Sequence, residues 1–259
     1  MRSVTPTEKA ASLLISRRLK GQKGDLLPAD CRPNDNQSAF AIQQAVSRLW
    51  FEQLGDTVGA WKCLQPIDGK WVVAPIFTST INTVPPTALW PDNGVARIEP
   101  ELVFYFAQDL PARAKAYLPD EIDAAIGRTN MALELIYFNY AQTDLCTHFD
   151  KLADGLVNQG LFVGPQVATD LAKAASQIDI TLSYAEHMQH FVGKHPNIMP
   201  RAPLYWLVEF LRQQGVDIEA GQAVITGSYA GLIDVPLNTD IRVKYAGLGE
   251  MDVHFKARG

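Results

Sequence analysis

Beyond Gly59 the chain is cut into short apolar stretches by Pro, Gly, Asn and Asp, and this punctuation constrains the fold more than any other feature. Val58 to Leu64, Trp71 to Phe77, Arg97 to Phe106, Leu161 to Val163 and Ile178 to Tyr184 are bounded by turn residues and read as strands. Only two segments in this region carry helical signals. Pro119-Asp120-Glu121 opens one that runs to about Gly127, and Ala202-Pro203 opens a stronger one, Leu204 to Gln214, stopped by Gly215. The end reads as Ala223 to Gly227, then Ile241 to Tyr245, a Gly247-Leu248-Gly249 turn and Glu250 to Phe255 as the returning arm. The pattern predicts an α+β fold with a mixed, mainly antiparallel sheet.

The first 57 residues differ. Thr5-Pro6-Thr7-Glu8 has capping-box spacing with proline at the first helical position, and Arg17, Arg18 and Lys20 close that helix before Gly21. Asp35 or Asn36 can cap a second helix, in which Phe40, Ile42, Val46, Leu49 and Trp50 recur at helical spacing until Gly55. With no repeat or low-complexity linker, residues 1–259 are expected to form one domain, helical over 1–57 and a β-rich catalytic core over 58–259.

Charge and cysteine content narrow the partners. A net charge of -5 with no basic block argues against nucleic acid or an anionic membrane surface. The apolar runs Leu102–Ala107 and Leu133–Phe138 fall far short of the roughly 18 residues of a membrane span. The segment from Met1 to Gly21 is too charged for a secretory signal. Cys31, Cys63 and Cys146 are odd in number and scattered, as in a reducing, cytoplasmic compartment.

Carboxylates carry the strongest chemical signal. Glu99 and Glu101 stand at i and i+2 on a strand pattern and project from one face, about 7 Å apart. Two like charges ahead of the apolar run Leu102 to Phe106 require solvation or a neutralising cation. Glu134, within Met131-Ala132-Leu133-Glu134-Leu135-Ile136, must if buried be paired, protonated or metal-bound. Three carboxylates without histidine or cysteine favour Mg²⁺ or Mn²⁺ over Zn²⁺. The plainer alternative is an exposed Glu-x-Glu face and a salt-bridged Glu134.

Lys62 lies among apolar neighbours in Val58-Gly59-Ala60-Trp61-Lys62-Cys63-Leu64, either as an acid/base group or as a lysine whose stem merely covers apolar surface. Cys63 reads as a small buried hydrophobe. Thr226-Gly227-Ser228 ends a strand in a turn whose N–H groups and hydroxyls can receive a carboxylate. Glu186-His187-Met188-Gln189-His190 lacks the order of a zinc-protease helix, and the chain has no Walker loop, GxGxxG or GxSxG.

Several of these pieces fall in a familiar order: Ala41-Ile42-Gln43-Gln44, Gly59-Ala60-Trp61-Lys62, Glu99-Pro100-Glu101 with Asp109-Leu110-Pro111, Ala132-Leu133-Glu134, Leu152-Ala153-Asp154, His195-Pro196 and Thr226-Gly227. Together they resemble the 2-keto-4-pentenoate hydratase group of the fumarylacetoacetate hydrolase superfamily. The resemblance implies a β-roll with a helical amino-terminal portion. It further implies a hydro-lyase that adds water to 2-hydroxypenta-2,4-dienoate-like 2-oxo acids in aromatic-compound catabolism. By the same resemblance Glu99, Glu101 and Glu134 hold Mg²⁺ or Mn²⁺, and the metal stabilises an enolate. Lys62 handles the proton, Asp154 positions water or Lys62, and Thr226, Gly227 and Ser228 hold the substrate carboxylate.

The chain departs from the group's pattern in places. Val72 to Phe77 has no acid where related hydratases carry one, Gly155 replaces the usual Asn, and Asn197 to Pro200 forms a small insertion. Decarboxylation of a 2-oxo-dienedioate of the 4-oxalocrotonate type, or C–C hydrolysis or tautomerisation on the same metal platform, therefore stand as alternatives. Superfamily hydrolases place a histidine before the Glu-x-Glu, and the first histidine here is His148. As for most soluble enzymes, a symmetric homo-oligomer, a dimer or larger, is expected.

Overall fold

Both amino-terminal helices form where their caps are written. The computed structural model describes residues 3–258. Helix α1 (Pro6–Lys20) starts on a reciprocal capping box between Thr5 and Glu8 and ends on Gly21 at φ 59°, the left-handed cap that glycine tolerates. Helix α2 (Asn36–Leu54) is capped by Asp35, whose carboxylate accepts from the Ser38 N–H. The two pack together, and α2 lays Ala39, Phe40, Ile42 and Val46 into the main core.

The rest is β-rich, as the punctuation predicts. In chain order it comprises β1 (Val58–Ile67), β2 (Lys70–Phe77), β3 (Ile81–Asn82), β4 (Thr87–Leu89), β5 (Val95–Phe106), α3 (Pro119–Ala125), β6 (Ile126–Ile136), α4 (His148–Ala153) and β7 (Asn158–Val167). There follow α5 (Thr169–Ala174), β8 (Gln177–Tyr184), β9 (His187–Lys194), α6 (Ala202–Gln213), β10 (Ala223–Ile225), β11 (Ile233–Pro236), β12 (Asp240–Tyr245) and β13 (Gly249–Ala257). Two short helices, α4 and α5, exceed the pair expected in this region. Both are six residues long and too short to show apolar periodicity in sequence. The expected helix near Gly127 stops at Ala125, because the chain turns directly into β6.

One sheet runs in the order β2-β1-β10-β5-β6-β7-β3, with β11 on the first half of β5, and a second runs β4-β13-β12-β8-β9. Most neighbours are antiparallel; β1 with β10, β3 with β7 and β4 with β13 are parallel. The first sheet is buried on both faces. Even-numbered residues of β5, including Ile98, Leu102 and Phe104, join the main core. Odd-numbered residues face a second, smaller cluster of Ala60, Ile76, Val103, Ala132, Leu161, Val163, Ala223 and Ile225. Glu99 and Glu101 lie on this second face, so the strand periodicity read from sequence places them correctly.

Candidate metal centre

Strand register builds the site. Glu99 pairs directly with Glu134 across β5 and β6, and Glu101 sits two residues along the same face. Lys62 is brought alongside because β10 lies between β1 and β5, with Lys62 opposite Ile225 and Ile225 opposite Val103. One oxygen from each of the three glutamates lies within 4.8 Å of the others. Glu99 is half-buried and Glu101 2% exposed, so the pair is not a solvated face, whereas Glu134, fully buried, is salt-bridged to Lys62 as the plainer alternative had it.

Lys62 Nζ meets both oxygens of Glu134, at 2.6 and 2.8 Å, and donates to the Leu156 carbonyl at 3.3 Å. Asn158 Nδ2 donates to Glu134 Oε1 at 2.8 Å, and the Gly227 N–H donates to Glu101 Oε2 at 2.6 Å. One ammonium against three carboxylates leaves an excess of negative charge. Burial, reinforced by the Glu134 charge, pushes the Glu99 pKa up to about 7 and Glu101 well above the usual carboxylate range. Burial opposes the charge on Lys62, yet Glu134, Glu99 and Glu101 outweigh it and raise the ammonium's pKa. Three oxygen donors, two of them buried, whose charge one ammonium does not balance fit a hard divalent cation.

The remaining sequence candidates lie close by but in different settings. Asp154, 1% exposed, accepts from Asn139 Nδ2 at 3.0 and 3.1 Å and faces Arg18 Nε at 3.5 Å, while its carbonyl accepts from the Arg18 guanidinium. Burial raises its pKa. Thr226 Oγ1 lies 3.4 Å from His195 Nε2, and the Gly227 N–H is already engaged by Glu101. Ser228 Oγ donates toward the carbonyls of Pro100 and Gly231. Cys63 is buried, as expected of a small hydrophobe, and burial raises its thiol pKa.

Three features had no role in the sequence reading, which met His195 only as part of a motif. Asn158, a buried amide at the start of β7, holds Glu134; a polar residue beside Leu156-Val157 was its only signal. His195 is 1% exposed, and its Nδ1 accepts from the Asn197 N–H at 3.2 Å. Burial lowers its pKa to about 4, so the ring is neutral and its Nε2 carries the proton that faces Thr226. The third is a run of left-handed residues, Gly155, Leu156 and Val157, at φ 74°, 52° and 63°. Leucine and the β-branched valine are strained there. Glu186 lies in a turn and His187 to His190 open strand β9; among the described residues they belong to no cluster of metal ligands.

No protein-family model and no curated protein sequence matches the chain. Solved structures do match it. The 4-oxalocrotonate decarboxylase from Pseudomonas putida G7, complexed with calcium and acetate, aligns over 99% of this chain and 100% of its own at 15% identity and a TM-score of 0.77. The same enzyme complexed with magnesium and adipate gives 16% identity, the same coverage and a TM-score of 0.77. A protein assigned to the fumarylacetoacetate hydrolase family, from Yersinia pestis CO92, aligns over 78% of this chain and 95% of its own at 16% identity and a TM-score of 0.56. The chain therefore has the mixed, curled α+β fold of fumarylacetoacetate hydrolase-like proteins.

Proposed function

We propose that the protein is a divalent-metal-dependent lyase acting on 2-oxo or 2-hydroxy-dienoate acids, with Glu99, Glu101 and Glu134 as the ligands of Mg²⁺ or Mn²⁺. The carrying observation is the convergence of these three carboxylates, two of them buried and Glu99 half-buried, beside Lys62. A bound cation supplies Lewis-acid stabilisation of the negative charge that develops on the substrate's 2-oxygen. The chain's own groups do the rest. Gly227 fixes the Glu101 carboxylate and Asn158 fixes Glu134. Lys62, held by Glu134 and the Leu156 carbonyl, stands ready to donate a proton at the end of the conjugated chain. Thr226, oriented by neutral His195, presents a hydroxyl to the substrate carboxylate, with Ser228 beside it.

Between the reactions open to such a site, the surroundings of Lys62 favour decarboxylation of a 2-oxo-dienedioate. Loss of carbon dioxide leaves its bonding pair on the conjugated skeleton, delocalised toward the 2-oxygen, and requires an electron sink and one proton donor but no activated water. Asp154 is tied to Arg18 and Asn139, and Val72 to Phe77 supplies no acid, so neither offers an uncommitted carboxylate to activate water. The decarboxylase structures that align end to end agree with this reading. Hydration of 2-hydroxypenta-2,4-dienoate is the second reading. It is favoured by the ordered sequence motifs, with Asp154 acting through the left-handed turn, Gly155 to Val157, that follows it. The test is incubation of the purified protein with Mg²⁺ and each substrate, with products identified by mass. Carbon dioxide from the six-carbon diacid supports the first reading, gain of one water by the dienoate supports the second, and persistence of both refutes the assignment.

A further inference from the structure

Leu64 covers the turn that fixes a proposed metal ligand. On β1, alternation puts it on the same face as Lys62, about 7 Å further along the strand. Its partner on β2 is Val72; both are half-buried, and neither joins the main core or the smaller cluster. Lys62 pairs with Ile225, and the same parallel register carried two residues on brings Leu64 beside Gly227. A Cβ on Gly227 would stand 2.5 Å from Leu64 Cδ2 and 2.8 Å from Pro196 Cγ, so these two side chains fill the space above the glycine. The backbone there, at φ 119°, is of the kind glycine adopts freely, and its N–H is the donor to Glu101 Oε2.

The outer part of this apolar wall is fixed by its neighbours. On one side of Pro196 the His195 N–H donates to the Ser176 carbonyl at 2.9 Å. On the other, the Asn197 N–H donates to His195 Nδ1 at 3.2 Å, and the Gln65 N–H donates to Asn197 Oδ1 at 3.1 Å. The last bond ties the loop to β1 one residue beyond Leu64, so the wall does not withdraw to admit bulk. Neither side chain offers a charge or a hydrogen bond. Leu64 and Pro196 therefore act on a ligand by shape and by excluding water, while the neighbouring polar groups orient it.

We infer that Leu64, backed by Pro196, is a specificity-determining residue that confines the site to 2-oxo acids whose chain is flat and unbranched next to the carboxylate. The inference rests on the reading above, in which Thr226, Gly227 and Ser228 receive the substrate carboxylate. The carbons that follow that carboxylate then pass beside Leu64. A conjugated dienoate is planar there and fits, whereas a branch at C3 meets the leucine. In an apolar pocket a misfit of one methyl group is worth about 10–200-fold in discrimination.

Titration calorimetry of the Mn²⁺-saturated full-length protein tests it with two isomers, 2-oxopentanoate and 3-methyl-2-oxobutanoate, which share composition and charge and differ only in branching. The wild type is expected to bind the linear acid at least about tenfold more tightly. Leu64→Ala should bring the ratio below about threefold by tightening the branched acid, and Pro196→Ala should move it the same way by a smaller factor. Misfolding does not produce a gain of affinity for one isomer. Equal binding of the two isomers by the wild type, or a ratio that survives both substitutions, overturns the role of Leu64 and leaves the 2-oxo-acid reading standing. A Mn²⁺-saturated wild type that binds neither isomer overturns that reading, and the role of Leu64 with it.

Discussion

Lys62 Nζ donates to the main-chain oxygen of Leu156, a residue held at φ 52° in the left-handed region. The strained turn therefore aims the site's only ammonium. Its neighbours hold it in place: Leu156 N–H bonds to Lys151 O at 2.7 Å, Tyr137 N–H to Val157 O at 2.8 Å, and Arg18 to the Asp154 carbonyl. Such backbone strain costs of order 1–3 kcal/mol per residue. Val157→Gly should relieve it, leaving the melting temperature unchanged or higher while turnover falls about tenfold as Lys62 loses its fixed aim. Full turnover in the variant would show that the turn serves folding alone.

The ligand assignment predicts a separation of metal affinity from stability. Glu101→Gln keeps side-chain size and removes one of three crowded acids, a buried one whose ionised form burial already disfavours, so metal-free protein should melt no lower than wild type. Mn²⁺ affinity by calorimetry should drop more than a hundredfold. Wild-type affinity in this variant would exclude Glu101 as a ligand.

Stability of the metal-free protein should fall as pH rises. The Glu99 pKa in the folded chain is pushed up to about 7 from an ordinary value near 4.5, so the folded state binds protons more tightly than the unfolded one. The stabilising contribution is complete below about 4.5 and is lost as pH passes through 7. The shift at Glu101 acts in the same direction. Thermal melts from pH 5 to 8 should show this decline, and saturating Mg²⁺ should flatten it, since a ligand bound only by the folded state adds stability. A melting temperature that climbs across this range without metal would contradict the carboxylate cluster.

Lys62→Met tests proton handling apart from metal binding. Removal of a positioned general acid costs about 10²–10⁴-fold in rate. Turnover should fall by that amount, while Mn²⁺ affinity holds or rises because the cation competing for Glu134 is gone. Loss of both together would mean that Lys62 supports the site's architecture instead.

Sequence periodicity was enough to place Glu99 and Glu101 on one face, because side-chain direction alternates along a strand regardless of what surrounds it. Glu134 was conspicuous as an acid in an apolar run, and register then set it opposite Glu99. Both amino-terminal helices carried their boundaries in their caps. The Leu156 carbonyl could not be read, since a main-chain oxygen has no residue signature and left-handed leucine and valine defy their own preferences. The partners of Asp154 were also hidden: Arg18 and Asn139 lie far away in sequence and meet it only through packing. Strand β9 was not read as a strand, because Phe191 alone among its residues turns an apolar side chain to the core and no alternation shows in sequence.

The insertion of β10 between β1 and β5 has a consequence for how the protein is made. The lysine-bearing strand and the three glutamates all precede residues 223–225, which knit β1 to β5, so the sheet closes only after β10 has been made. Until then a nascent chain carries crowded carboxylates beside an unfinished sheet. Such long-range pairing is slow to form, so a divalent cation held by the three carboxylates should speed closure of the sheet during refolding.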